Sequence, residues 1–157
     1  MLLRCAIVED IRLDAETLTR QLLAAAEHTC QLQCTQFPDG GAFLRAAQTQ
    51  RFDAVFLDIC MPGLSGIETA RRLRGQSAKL PIVFVTSSEE AVWDALPLHP
   101  FDYLRKPYDE RRVHALLDDL LAVLGRPEPE LELRVARQII LVPFGRIEYA
   151  LAQNHYV

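Results

Sequence analysis

The sequence predicts an α/β domain: a doubly wound sheet of five parallel strands with helices on both faces, then a short C-terminal β extension. Three observations predict it. Five short apolar runs alternate strictly with helical patterns, as βαβ units do. The run Asp53–Leu57 is apolar enough to be buried on both faces, which suits a strand inside a parallel sheet. After residue 124 the pattern changes to a Gly- and Pro-containing charged stretch, and then to alternating apolar and polar residues.

Leu3–Val8 (LRCAIV) reads as the first strand, and Asp14–His28 as a helix with Leu18, Leu22 and Ala25 at helical spacing. Cys30–Phe37 is the second strand, ended by Pro38-Asp39-Gly40-Gly41, and Ala42–Gln50 is a short helix. Asp53–Leu57 is the third strand, and Ile67–Arg74 a helix ended by Gly75. Leu80–Val85 and Phe101–Leu104 are the fourth and fifth strands, with a short helix, Glu89–Leu96, between them. Asp109–Leu124 is the last helix, and its buried stripe is Val113, Leu116, Leu117, Leu120 and Leu121. Short connections and right-handed crossovers favour strand order 2-1-3-4-5, a flavodoxin-like sheet.

The domain organisation that follows is a first domain over 1–124, a linker over 125–131 and an incomplete β segment over 132–157. Within the last, Ile139–Val142 and Ile147–Leu151 read as strands around a Pro143–Arg146 turn. Two or three strands do not bury a core of their own.

Of the 157 residues, half are apolar and 24% are charged, which excludes a disordered chain. No run of about 18 apolar residues spans a membrane, and Glu9 and Asp10 come too early for a secretion signal, so a cytoplasmic protein is expected. The net charge of −4 argues against a molecule that coats nucleic acid with its whole surface. Cys5, Cys30, Cys34 and Cys60 read as reduced thiols, and no second Cys/His pair stands at zinc-ligand spacing.

Doubly wound sheets place their chemistry beyond the carboxyl ends of the strands. Those ends carry Glu9-Asp10, Asp58, Thr86 and Lys106, in strands one, three, four and five. Each has an ordinary reading: a helix cap, a loop acid, a strand-end cap, a solvated charge. Their joint occurrence at successive strand ends favours a site. Only two lysines occur, Lys79 and Lys106, which makes a lysine at this place more telling. Three adjacent carboxylates call for a proton or a cation, and oxygen-only ligands select a hard ion such as Mg2+. A carboxylate beside such an ion can attack phosphorus, and a lysine and a hydroxyl can bind the phosphoryl oxygens. The set suits phosphorylation of one aspartate, with Asp58 central.

On Glu9-Asp10, Asp58-x-x-Met61-Pro62-x-x-x-Gly66, Thr86-Ser87-Ser88 and Tyr103-x-x-Lys106-Pro107, the chain resembles the receiver domain of two-component response regulators from Leu3 to about Leu124. The resemblance implies that Asp58 accepts a phosphoryl group from a histidine kinase. It implies that Asp10, Asp58 and the Cys60 carbonyl hold magnesium, with Glu9 acting directly or through water. Lys106 then contacts the phosphoryl group, Thr86 turns inward to bond it and Tyr103 follows. Tyr103 also has a plain core reading. The Lys106-Pro107 peptide is expected to be cis. Cys60 and Ser88 occupy positions that tune dephosphorylation in relatives. Neither is an acid or an amide, which favours a long-lived phosphoryl state.

The output surface implied by the family is roughly Glu89–Leu124. There Trp93, Leu96, Leu98, Val113 and Leu117 are either a dimer contact strengthened by phosphorylation or plain core. The tail, from Ile139–Val142 through Ile147-x-Tyr149 to Ala152–Val157, resembles the first quarter of a LytTR DNA-binding domain. His155 is then a DNA contact or simply a surface histidine. Arginines and glutamates balance in this segment, so DNA binding is expected only through a complete output domain, not through this chain alone. The expected partners are a sensor histidine kinase and a second copy of the chain. The chain is read as a phosphoacceptor that catalyses only its own phosphorylation and dephosphorylation. The alternatives are a stand-alone receiver signalling by protein contacts and an aspartate-nucleophile phosphatase. The latter needs a second acid where Cys60 stands.

Overall fold

The five apolar runs form one all-parallel sheet: β1 (Leu2–Val8), β2 (Gln31–Phe37), β3 (Ala54–Asp58), β4 (Ile82–Thr86) and β5 (Asp102–Arg105). The strand order is β2-β1-β3-β4-β5, as expected. This structure, a computed structural model, describes residues 2–76 and 79–125 and the backbone of two later strands. The crossover helices are α1 (Arg12–Ala26), α2 (Gly40–Ala46), α3 (Gly66–Gln76) and α4 (Glu90–Ala95); α5 (Glu110–Leu124) follows the last strand. A 3-10 turn, Leu96–Leu98, follows α4.

Burial explains why these segments are strands. All five residues of β3 and of β4 are buried, so neither strand shows a polar face. Ala6, Val8, Val55, Leu57, Ile82 and Phe84 pack into one cluster with Phe43 and Leu44 of α2, Ala70 and Leu73 of α3, and Ala95 of α4. Alternation sends Leu3, Cys5, Ile7, Phe56, Val83 and Leu104 to the opposite face of the sheet. Helix α1 buries Ala15, Leu18, Leu22, Ala25 and Ala26, and α5 buries Val113, Leu116, Leu117 and Leu120.

Two helices, α1 and α2, start two residues before the sequence pattern, and the other three start within one residue of it. The Asp39 side chain accepts the Ala42 N–H at 2.7 Å, so α2 begins at Gly40 rather than Ala42. Helix α1 begins at Arg12, which puts Asp14 in its first turn. Val113 and Leu117 are wholly buried on α5. Of the five residues read as a dimer contact or as core, Val113 and Leu117 are thus core, Trp93 (75% exposed) and Leu96 (54%) face solvent, and Leu98 is half-buried.

The chain divides into two units, Met1–Leu121 and Ala122–Val157. In the second, β6 (Glu130–Val135) and β7 (Gln138–Pro143) pair antiparallel, from Glu130↔Pro143 to Val135↔Gln138. Strand β7 contains the expected Ile139–Val142. Strand β6 starts at Glu130, inside the segment read as a linker, because the Leu131, Leu133, Val135 alternation already favours a strand. The expected strand Ile147–Leu151 and His155 lie outside the described residues. Among the described residues, no helix is long and apolar enough to cross a membrane.

Candidate functional site at the carboxyl edge of the sheet

Parallel register brings the strand ends side by side. Val8 aligns with Leu57, Asp58 with Val85, and Thr86 with Arg105. The residues that follow must therefore share one edge. The chain departs to β2 on one side of β1 and returns to β3 on the other, so the crevice opens between β1 and β3. Glu9, Asp10 and Asp58 each place a carboxylate oxygen within 4.8 Å of the others. Glu9 and Asp58 are buried and Asp10 is exposed. Two ionised carboxylates at such a separation repel by about 3 kcal/mol at an effective dielectric near 20.

Lys106 offsets part of that repulsion. Its Nζ donates to Glu9 Oε2 at 2.6 Å, Asp14 Oδ2 at 2.8 Å and Asp58 Oδ2 at 2.9 Å. An ammonium has three N–H donors, and all three are engaged. The second oxygens of Glu9 and Asp58 are also held. Glu9 Oε1 accepts the Ile11 N–H at 3.1 Å, and Asp58 Oδ1 accepts the Cys60 N–H at 2.9 Å. Burial pushes the Glu9 carboxyl up to about 6, against the lowering effect of its bonds to Lys106 and the Ile11 N–H, and the Asp58 charge adds to the rise. Burial alone would push the Lys106 ammonium down, but its bonds to Asp14, Glu9 and Asp58 hold it well above the usual lysine value.

The loop after β3 is built around Asp58. Gly63 adopts a positive φ of 75°, which a side chain disfavours. A Cβ on Gly66 would lie 2.0 Å from the Asp58 carbonyl oxygen, so α3 starts in direct contact with the backbone of the site. Ser65 Oγ accepts the Glu68 N–H at 3.2 Å and caps that start. The Cys60 side chain is exposed.

Thr86 is buried at the end of β4. Its Oγ1 accepts the Ser88 N–H at 3.0 Å, and its carbonyl accepts the Lys106 N–H at 2.8 Å. The Tyr103 ring stacks on Phe84 with centroids 6.0 Å apart, and its hydroxyl donates to the Val92 carbonyl of α4 at 3.3 Å. Tyr103 is thus both packed on the core and tied to α4. The Lys106-Pro107 peptide is cis.

Glu9, Asp10, Asp58 and Lys106 come together at the edge where strand-end logic put them. Asp14 was missed, although it supplies one of the three bonds of Lys106. Its sequence signal is an acid four residues after Asp10, in the first turn of α1. Three carboxylates face one ammonium and Asp10 adds a fourth beside them, a formal excess of three negative charges. Hard oxygen donors with excess negative charge fit a divalent cation of the Mg2+ kind.

The sheet order and the acidic pocket at its carboxyl edge are those of the receiver domains of two-component signalling. The chain belongs to the response regulator receiver domain family, which matches residues 5–118. Domains of this family are signalling modules rather than conventional enzymes. The transcriptional regulatory protein YpdB of Escherichia coli K12 is 33% identical over 167 residues, covering 97% of this chain and 66% of YpdB. The chain thus spans somewhat under two thirds of the length of that relative. The crystal structure of the response regulatory domain of MrkE from Klebsiella pneumoniae is 32% identical with a TM-score of 0.71, covering 78% of this chain and 98% of that one. Response regulator TrrA of Thermotoga maritima, solved in complex with Mg2+-BeF, shares the fold at 24% identity and a TM-score of 0.67, over 76% of this chain and 99% of its own.

Proposed function

We propose that Asp58 is the phosphoacceptor of a two-component response regulator, and that its phosphorylation with Mg2+ switches the surface formed by α4, β5 and α5. The observation that carries this reading is the convergence of Glu9, Asp10 and Asp58 on one point, with Lys106 bonded to Asp58. Asp10 and Asp58, the Cys60 carbonyl, and Glu9 directly or through water would hold the cation. When bound, the cation neutralises the negative charge that repels an incoming phosphoryl donor.

The rest is the work of the chain. The Cys60 N–H and the Lys106 ammonium fix the two oxygens of Asp58, so the carboxylate is presented in one orientation. An Asp58 oxygen forms a bond to the phosphorus of a phosphohistidine in the kinase. The P–N bond breaks, and its electron pair stays on the departing imidazole. Lys106 and the Thr86 hydroxyl then donate to the phosphoryl oxygens. Thr86 now accepts from the Ser88 N–H and is free to donate its own proton. Tyr103 answers by leaving the Val92 carbonyl, which couples the site to α4.

The output is proposed to be transcriptional, through dimerisation and a complete DNA-binding domain. Two facts support it: the relative YpdB is a transcriptional regulatory protein, and its similarity runs through 97% of this chain, past the receiver. In this reading 1–124 is the receiver and the segment from β6 onward is the start of a LytTR-type module, with His155 toward DNA. Intact mass after incubation with acetyl phosphate and Mg2+ tests the central step. Wild type should gain one phosphoryl mass, and the gain should vanish in Asp58→Asn or without Mg2+. An equal gain in Asp58→Asn sinks the assignment.

A further inference from the structure

Lys106 has three N–H bonds to give and gives one each to Glu9, Asp14 and Asp58. The three acceptors are not equivalent. Glu9 and Asp58 belong to the group of oxygens that fits a cation, and Asp14 lies outside that group. Asp14 stands on a different element, the first turn of α1, and its side chain is 35% exposed. We propose that Asp14 is the positioning residue that keeps Lys106 at the site while Asp58 changes its charge, a role that rests on Asp58 being the phosphoacceptor.

The argument is one of donors and acceptors. Phosphoryl transfer turns the Asp58 carboxylate into an acyl phosphate, so the N–H now on Asp58 Oδ2 must move to a phosphoryl oxygen. The lone pairs of Glu9 are contested by the cation site. Those of Asp14 are not, and its charge is unchanged by the transfer. Asp14 is therefore the fixed end of the Lys106 clamp. Lysine is a point charge on a flexible four-carbon stem. Without Asp14, an ammonium beside newly bound positive charge swings out to water instead of meeting the phosphoryl group.

Only two lysines occur, so labelling the protein with 15N-lysine yields two side-chain ammonium signals, and Lys79→Arg assigns them. The probe is Mg2+ with beryllofluoride, a stable stand-in for the phosphoryl group. In wild type the Lys106 ammonium signal should persist with both bound. In Asp14→Asn it should disappear into exchange with water, and the phosphorylation rate at saturating acetyl phosphate should fall by about 10- to 100-fold. Asp14→Glu, which restores the charge, should recover both. A Lys106 signal that survives in Asp14→Asn overturns the positioning role, whatever the rate. A wild type that gains no phosphoryl mass overturns the phosphoacceptor reading itself, and the role of Asp14 falls with it.

Discussion

Gly66 has no room for a methyl group. A Cβ there would meet the Asp58 carbonyl oxygen at 2.0 Å and the Ile59 Cα at 2.8 Å, and both are backbone atoms that cannot swing aside. Gly66→Ala should therefore cost at least about 1–3 kcal/mol in urea unfolding, the usual range for overpacking. It should also slow phosphorylation, because the backbone pushed away is that of Asp58. A Gly66→Ala protein as stable as wild type would show that the contact relaxes freely. At this scale the sequence was informative wherever a residue follows a strand. Glu9, Asp10, Asp58 and Lys106 were all legible, because a parallel sheet puts strand ends on one edge. Asp14 was not. It looks like an ordinary acid in the first turn of a helix, and its partner lies 92 residues away. The buried face of α1, with Leu18, Leu22 and Ala25, was read correctly, but its start was placed at Asp14 rather than Arg12, and nothing in the sequence aims Asp14 at Lys106.

Arg74 ties three elements together. From α3 its guanidinium donates to the carbonyls of Leu80 at 2.7 Å, Leu98 at 3.0 Å and His99 at 3.3 Å. It thus joins α3 to the entry of β4 and to the turn before β5. Each such bond is worth about 0.5–1.5 kcal/mol net. Arg74→Ala should destabilise by about 1–3 kcal/mol and speed exchange of the His99 amide, which bonds Leu96 O at 3.1 Å. Arg74→Lys should not rescue, since an ammonium lacks the planar fork that spans three acceptors. Unchanged His99 exchange in Arg74→Ala would count against this tie. The strands were legible as elements, because burial on both faces leaves an apolar signature. The turn at Leu96–Leu98 was not. His99 closes it at φ 50°, a left-handed conformation that no residue pattern announces and that Arg74 supports from a distance.

For the whole molecule, the excess of carboxylates at one edge makes folding and ion binding a linked equilibrium. An ion that binds only the folded chain stabilises it by about 2.7 kcal/mol at a hundred times its Kd. Mg2+ should raise the urea midpoint of wild type, and the rise should be lost in Asp58→Asn and weakened in Asp10→Asn. An identical rise in Asp58→Asn would place the ion elsewhere. The sheet with helices on both faces and its strand order were legible at this scale because strict alternation leaves few topologies. The reach of β6 was not, since Glu130 and Leu131 sit among residues of linker composition.

Trp93 stands alone in this chain: it is the only tryptophan, it sits on α4, and its ring faces water. The same helix carries the Val92 carbonyl that receives the Tyr103 hydroxyl. Indole emission from this protein is therefore an optical signal from a single element, silent toward the hydrophobic interior. Light excited at the indole reads the state of α4 in real time, with no dye attached.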